Sequence, residues 1–153
     1  MHRTMLIVWV AMLLAPLAAR STDYVWTDGA GDGNWTMAGN WNIGGGYPDG
    51  ADDTATITNS SRAITIPAGL AVGEITIGGG YSGTNTLLGA LTVTTTSGKS
   101  GNLTLNAGVL QTVSNAVGDL SVSNLLSVGS NGVLVVRLSS ISGNGAGQTI
   151  RAG

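Results

Sequence analysis

The stretch GNLTLNAGVL, residues 101–110, carries the pattern on which the fold of this chain depends. Leu103 and Leu105 are separated by one polar residue, so both side chains point to the same face of an extended strand. Beyond the first twenty or so residues, no window offers apolar residues at helical spacing over three turns, and Gly, Ser, Thr and Asn are poor residues for a helix interior. The sequence therefore predicts an all-β protein with almost no helix.

The same phrase returns along the chain after residue 54. Near-identical phrases suit the stacked coils of a β-solenoid, because each coil meets the same neighbours above and below it. An antiparallel β-sandwich is the alternative, since it also uses short strands separated by turns. We favour the parallel solenoid over the sandwich. The repeated phrases are AITI, GEITI, GALTV, GNLTL, GDLSV and GVLVV, at residues 63–66, 73–77, 89–93, 101–105, 118–122 and 132–136.

The chain divides into three segments. Residues 1–21 are predicted to be a signal peptide, because Arg3 precedes an apolar run that ends at Pro16 and is followed by small residues. Residues 22–53 are rich in Trp, Gly and Asp and are predicted to form an N-terminal cap. Residues 54–153 hold the predicted solenoid coils. No apolar stretch after the signal peptide is long enough to span a membrane.

The charged residues exclude several classes of function. The chain has eight acidic and six basic residues, and no basic stripe is interleaved with aromatic residues, so nucleic acid is not an expected partner. There is no cysteine, and the one histidine is His2, within the predicted signal peptide. A histidine base, a cysteine nucleophile and a zinc or haem site are therefore not expected after it. No paired carboxylates or other catalytic constellation is visible, and we predict that the chain is not an enzyme.

The stretch VWTDGAGDGNWTMAGNW, residues 25–41, is the most unusual part of the sequence. Five of the six aromatic residues that follow the signal peptide lie between residues 22 and 53. A solenoid exposes unpaired backbone groups and the end of its core unless a further segment covers them. Large flat side chains immediately before the first coil are suited to that purpose, and we predict that Trp26, Trp35 and Trp41 form an aromatic cap.

The cap segment contains the arrangement W-x-x-x-x-G-D-G-x-W-x-x-x-x-N-W at residues 26–41, followed by Pro48 and by GADDTATI at residues 50–57. This arrangement resembles the start of many secreted bacterial β-helix proteins, of the autotransporter passenger-like and PEP-CTERM surface types. This resemblance implies a right-handed parallel β-helix that is entered through the tryptophan-rich element. Such folds include adhesins, enzymes and inert stalks, so the resemblance implies an architecture rather than one function. The matching positions are Trp26, Gly31, Asp32, Gly33, Trp35, Asn40, Trp41, Pro48, Asp52, Asp53 and Ile57.

Two ligands are candidates for the same segment. Asp28, Asp32 and Asn34 supply oxygen atoms at spacings similar to those of a calcium loop, but Ala30 stands at a ligand position and no closing Glu follows. Turn formation therefore explains these three residues better than calcium, and no cofactor is predicted. The three tryptophans are also candidates for stacking on a glycan, if their rings are exposed rather than buried.

Taken together, these features predict a non-catalytic structural or adhesive β-helix segment of a secreted or cell-surface bacterial protein. The alternative is a carbohydrate-binding or polysaccharide-active β-helix module. Surface glycans or other envelope components are the expected partners. After Gly153 there is no C-terminal cap, so the sequence is expected either to be truncated or, if it is complete, to associate end to end.

Overall fold

The computed structural model describes residues 21–112, 120–135, 141–142 and 151–152. Within these ranges the chain forms twelve strands and one short 3₁₀ helix, Ala38–Asn40. Every pairing between the strands is parallel. The strands are β1 (Asp23–Val25), β2 (Thr54–Ile57), β3 (Ile64–Ile66), β4 (Leu70–Val72), β5 (Glu74–Ile77), β6 (Thr84–Leu87), β7 (Leu91–Val93), β8 (Leu103–Thr112), β9 (Leu120–Val122), β10 (Leu126–Val135), β11 (Ile141–Ser142) and β12 (Arg151–Ala152).

The strands stack into three faces that together form a parallel β-solenoid. Face 1 contains β1, β2, β5, the first part of β8, the first part of β10, and β12. Face 2 contains β3, β6 and the later parts of β8 and β10, and face 3 contains β4, β7, β9 and β11. Coil 1 is β2–β4, coil 2 is β5–β7, coil 3 is β8–β9 and coil 4 is β10–β11. The predicted solenoid is confirmed, and the sandwich is wrong because its strands would alternate in direction.

The repeated phrases of the sequence are hydrogen-bonding neighbours in space. Ile75 of GEITI pairs in register with Leu103 of GNLTL on face 1. Leu91 of GALTV pairs with Leu120 of GDLSV on face 3. All four side chains point inward and expose 1% or less of their surface. Similar phrases therefore occupy equivalent places in successive coils, and their aliphatic side chains stack into one continuous core.

Face 1 turns into face 2 within a single strand in coil 3. β8 bends at Gly108, whose φ of +70° is unfavourable for a residue with a side chain. A Cβ atom at this position would also lie 2.5 Å from Cδ1 of Tyr81, which is buried in the preceding coil. Glycine is thus required at this corner both for its backbone angle and for the close approach of the tyrosine ring.

The coils differ in length. Ala55 pairs with Ile75, Ile75 with Leu103, and Leu103 with Leu126, so successive coils advance by 20, 28 and 23 residues. The difference arises mainly where face 3 returns to face 1. Gly73 alone makes this connection after coil 1, whereas residues 94–102 make it after coil 2.

Several sequence predictions concern residues that the structure does not describe. Residues 1–20 of the predicted signal peptide, Gly118 and Asp119 of the phrase GDLSV, Val136 of the phrase GVLVV, and the terminal Gly153 all lie outside the described ranges. Across the part of the chain that is described, no helix has both the length and the apolar character needed to cross a membrane.

Candidate functional site at the N-terminal cap

Four aromatic rings form a cluster at the N-terminal end of the solenoid. Trp41 is its centre, and the ring centroids of Tyr24, Trp26 and Trp35 lie 6.0, 5.1 and 4.8 Å from that of Trp41. All three pairs meet edge to face, at interplanar angles of 74° to 88°. Edge-to-face contact places the positive edge of one ring against the negative face of the next, which stabilises the pair beyond the area that it buries.

Hydrogen bonds orient two of the three buried indoles. Nε1 of Trp35 donates to the carbonyl oxygen of Pro48 at 2.9 Å, and Nε1 of Trp41 donates to the carbonyl oxygen of Trp35 at 2.7 Å. Nε1 of Trp26 is buried and has no hydrogen-bond partner among the described residues. Of the three indole rings, those of Trp35 and Trp41 are therefore held by hydrogen bonds as well as packing, and that of Trp26 is held by packing alone.

Asn40 is a buried hydrogen-bonding centre in the loop that carries the rings. Its Nδ2 donates to Oδ1 of Asp32 at 2.6 Å and to the carbonyl oxygen of Asn34 at 3.0 Å. Its Oδ1 accepts from the backbone N–H of Ala30 at 3.0 Å. The backbone N–H of Asn34 and the Asn40 amide hold the pKa of the Asp32 carboxyl below its usual value, since both donate to the carboxylate. One side chain thus ties three points of the loop together.

Asp53 plays a similar part where the cap meets coil 1. Its Oδ1 accepts from the backbone N–H of Thr22, and its Oδ2 accepts from the N–H groups of Asp49 and Gly50, at 2.9 to 3.2 Å. The side chain is buried. It therefore closes the turn before β2 and anchors the start of β1 to that turn.

The cap pairs with the first strands of two faces. β1 extends face 1 in parallel register with β2. On the side opposite β2, Trp26, the residue after β1, forms an antiparallel bridge with Trp41. On face 2, the backbone N–H of Trp35 donates to the carbonyl oxygen of Thr65, a residue of β3, and Asn34 forms a parallel bridge with that same residue. Backbone groups that a bare first coil would leave exposed on these two faces therefore have partners in the cap.

The candidate calcium ligands use their oxygen atoms within the protein. Nε of Arg62 lies 2.8 Å from both carboxylate oxygens of Asp28, which has a φ of +58°. Oδ1 of Asp32 accepts from the N–H of Asn34 at 2.9 Å, and Oδ1 of Asn34 accepts from the N–H and hydroxyl of Thr36. Among the described residues, no three His, Cys, Asp or Glu side chains are grouped so as to hold a metal ion. The three oxygen-bearing residues act here as turn and ion-pair residues.

The tryptophans offer no ring face to solvent in this conformation. Trp35 has no exposed surface, and Trp26 and Trp41 each expose 3% of theirs. A sugar would reach these indole faces only if the cap opened. No ligand-sized pocket is present in the part of the molecule that the structure describes.

The outer surface of face 1 carries a row of hydroxyl side chains that the sequence alone does not reveal. Thr56, Thr76, Thr104 and Ser127 are in direct register on successive coils, and all four are half-buried. Thr92, which has the same sequence context as Thr76, lies instead on face 3. Neighbouring strands are about 4.8 Å apart, so the row repeats at about that spacing.

Three residues that hold the cap had no individual role in the sequence analysis. Asn40 and Asp53 belong to the motif that matches secreted β-helix proteins, but their hydrogen bonds are not readable from spacing. Lys99 was not singled out at all, yet its amino group bonds to Asp23 and Thr54, far away in sequence. Its one available signal was that it is the only lysine of the chain.

Comparison with protein-family models, curated proteins and solved structures finds no match for this chain. The resemblance of the cap to secreted β-helix proteins therefore rests on the quoted motif alone.

Proposed function

We propose that this chain is a non-catalytic structural or adhesive segment of a secreted or cell-surface bacterial protein. Its mechanism is presentation: stacked coils form a stiff support, and polar outer rows of side chains meet the surroundings. The observation that carries the proposal is the cap, in which a buried aromatic cluster and paired strand edges close one end of the solenoid.

A closed end favours a structural role for a physical reason. An exposed strand edge pairs readily with other chains, and an exposed apolar core promotes aggregation at the concentrations found on a cell surface. The cap of this protein uses four large aromatic side chains, two buried polar residues and a long loop for protection rather than for a cleft. The chain has no cysteine and therefore gains no stability from disulfides. Backbone hydrogen bonds between successive coils stabilise the solenoid instead.

The export part of the proposal is supported by the sequence. An early arginine, an apolar run and small residues precede the cap, in the order that is typical of a secretory signal peptide. The cap motif adds the resemblance to secreted β-helix proteins. Both features lead to the same expected location, the exterior of the cell.

Protease treatment of intact cells that produce the chain natively tests this proposal. We expect peptides from coils 1–3 in the released fraction, without peptides from a cytoplasmic marker protein. Mass spectrometry of the same cells is expected to find an N-terminus near residue 22. Recovery of the chain only after lysis, with residues 1–21 still attached, would contradict the export of this protein.

A carbohydrate-binding or polysaccharide-active module is the second candidate, and the hydroxyl row on face 1 is the observation that favours it. Binding to a panel of surface polysaccharides is the test, with release of reducing ends as the assay for cleavage. Under this candidate, Thr76→Arg abolishes binding, whereas Thr92→Arg, a matched change on face 3, leaves it intact. Absence of binding and cleavage by the folded protein leaves the structural proposal in place.

A further inference from the structure

The connection between coil 2 and coil 3 is longer than the equivalent connections elsewhere. Gly73 alone joins face 3 to face 1 after coil 1, and residues 123–125 do so after coil 3. After coil 2, the connection is residues 94–102. The strands that flank these connections are in register from coil to coil, so the six to eight extra residues are not needed to close coil 2.

The extra residues form a small hairpin. Thr95 and Ser100 make an antiparallel bridge, and the N–H of Thr96 donates to the carbonyl oxygen of Lys99 at 3.1 Å. Gly101, with a φ of +68°, ends the hairpin, and its N–H donates to the carbonyl oxygen of Gly73 at 3.1 Å. The hairpin is thereby attached to the single-residue connection of the preceding coil.

Lys99 extends from this hairpin to the cap. Its Nζ lies 2.7 Å from Oδ1 of Asp23, in β1, and also donates to the hydroxyl of Thr54, in β2. The contact with Asp23 joins residues 76 positions apart in sequence. The Lys99 side chain exposes only 11% of its surface, although its partner Asp23 exposes 76%. The lysine is therefore packed along its stem and bonded at its tip.

Gly73 provides the space through which the lysine passes. A Cβ atom at Gly73 would lie 2.6 Å from Cγ and 2.7 Å from Cβ of Lys99, and 2.5 Å from the carbonyl oxygen of Ala51. Any side chain at this position would displace the lysine stem or the backbone of the cap. The one-residue connection of coil 1 and the long connection of coil 2 are therefore complementary in shape.

We propose that residues 94–101 are a strap that locks the cap onto the solenoid, with the Lys99 ammonium group as its tip. β1 is the outermost parallel strand of face 1, and the strap joins β1 to β2 by a charged contact that does not depend on their backbone ladder. The lock closes only when the connection between β7 and β8 has folded. The cap is therefore fastened only after coils 1 and 2 have folded against it. This inference does not depend on whether the protein is exported.

Hydrogen exchange of the full chain, measured residue by residue, tests the strap. The N–H groups of Trp26 and Thr54 report on the pairing of β1 with β2, and those of Gly69 and Ser123, which lie outside the strap, report on face 3. For Lys99→Met, which retains most of the stem without the charge, we expect exchange about threefold to tenfold faster at Trp26 and Thr54, the size of a partly exposed ion pair. Exchange at Gly69 and Ser123 is expected to change less than about twofold. An equal change at all four sites, or none, would overturn the proposal.

Arg62→Met is the matched control, because it removes the ion pair between the cap and coil 1 at Asp28 while leaving β1 and its partner untouched. It is expected to accelerate exchange in the loop around Asp28 and not at Thr54. If Arg62→Met accelerates exchange at Thr54 as much as Lys99→Met does, the strap has no specific role.

The unmodified protein offers a second measurement, because Lys99 is its only lysine. An amine-reactive ester is expected to label Lys99 at least about tenfold more slowly than the same residue in the urea-unfolded chain, since labelling requires local opening. Asp23→Asn is expected to increase the native labelling rate severalfold. Labelling of the native protein at the unfolded rate would mean that the strap is open, and would overturn the proposal.

Discussion

The cap and the coils of this protein are stabilised in different ways. In the coils, aliphatic side chains repeat in register, and each contacts equivalent residues above and below it, as Ile57, Ile77 and Leu105 do on face 1. In the cap, no contact repeats: aromatic rings meet edge to face, and Asn40 and Asp53 bond to separate points of one loop. Repetition suffices where every layer has two neighbours. The terminal layer has only one, and an irregular set of specific contacts substitutes for the missing coil.

The largest effect is expected from opening the aromatic cluster. Trp35→Ala should lower the free energy of unfolding by about 3 to 5 kcal/mol, because it removes a fully buried ring and the hydrogen bond to Pro48. Urea titration measures the loss. Met37→Ala, at an exposed position of the same loop, is the control and should change the value by less than about 0.5 kcal/mol. A loss below about 1 kcal/mol for Trp35→Ala would instead indicate a ring available to a ligand.

The next largest effect is expected at the buried polar centre of the cap. Asn40→Ala should cost about 2 to 3 kcal/mol, since it leaves the N–H of Ala30 and the carbonyl oxygen of Asn34 without their partner. Thermal and urea unfolding check this value. Asn42→Ala, at an exposed position two residues later, loses only a bond to the N–H of Val25 and serves as the control. Equal effects of the two changes would contradict the central role of Asn40.

A buried asparagine in the coils should behave in the opposite way. Asn85 lies in β6 between Ile64 and Leu110, and its Oδ1 has no hydrogen-bond partner among the described residues. The amide nitrogen Nδ2 of Asn85 donates to the carbonyl oxygen of Val109 at 3.2 Å. Asn85→Val should raise the free energy of unfolding by up to about 1 kcal/mol, because removing an unsatisfied buried acceptor from an aliphatic stack outweighs the loss of this one bond. Thr86→Val, on the outer side of the same strand, is the control for strand propensity. A free energy of unfolding that is lower for Asn85→Val than for the Thr86→Val control would contradict this prediction.

The smallest effect is the loosening of the cap in acid. Lys99 holds the pKa of Asp23 below its usual value by hydrogen bonding, and Asn34 and Asn40 do the same for Asp32. Both carboxyls have a lower pKa in the folded state than in the unfolded state, where the pKa is near 3.8. The ionised carboxylates therefore contribute their full stabilisation of the fold above that unfolded-state pKa, and the contribution is lost as the pH falls through the folded-state pKa values. Tryptophan fluorescence between pH 6 and pH 2 reports the change, since three of the four tryptophans lie in the cap. Asp32→Asn should weaken the pH dependence, and an unchanged acid transition in that variant would contradict the role of Asp32.

The fold was largely predictable from the coils and much less so from the cap. Period-two pairs such as Leu103 with Leu105 predicted strands, and their near-identical repetition predicted stacking. The irregular spacing of the phrases concealed which of them are neighbours, because the strongest phrases come alternately from face 1 and face 3. The tryptophan spacing suggested a cap, but burial of an indole depends on what packs against both of its faces, which spacing does not encode.

By itself, the sequence determined that this chain forms parallel coils around an aliphatic core, because that pattern depends only on the local alternation of side chains and on their repetition. The tertiary structure alone decided which polar groups meet across coils. Asp28 pairs with Arg62, Asp23 pairs with Lys99, and Thr56, Thr76 and Thr104 form one row. Connections of one, nine and three residues between face 3 and face 1 all bring the next strand into register, so partners distant in sequence are set by the assembled coils and not by any local pattern.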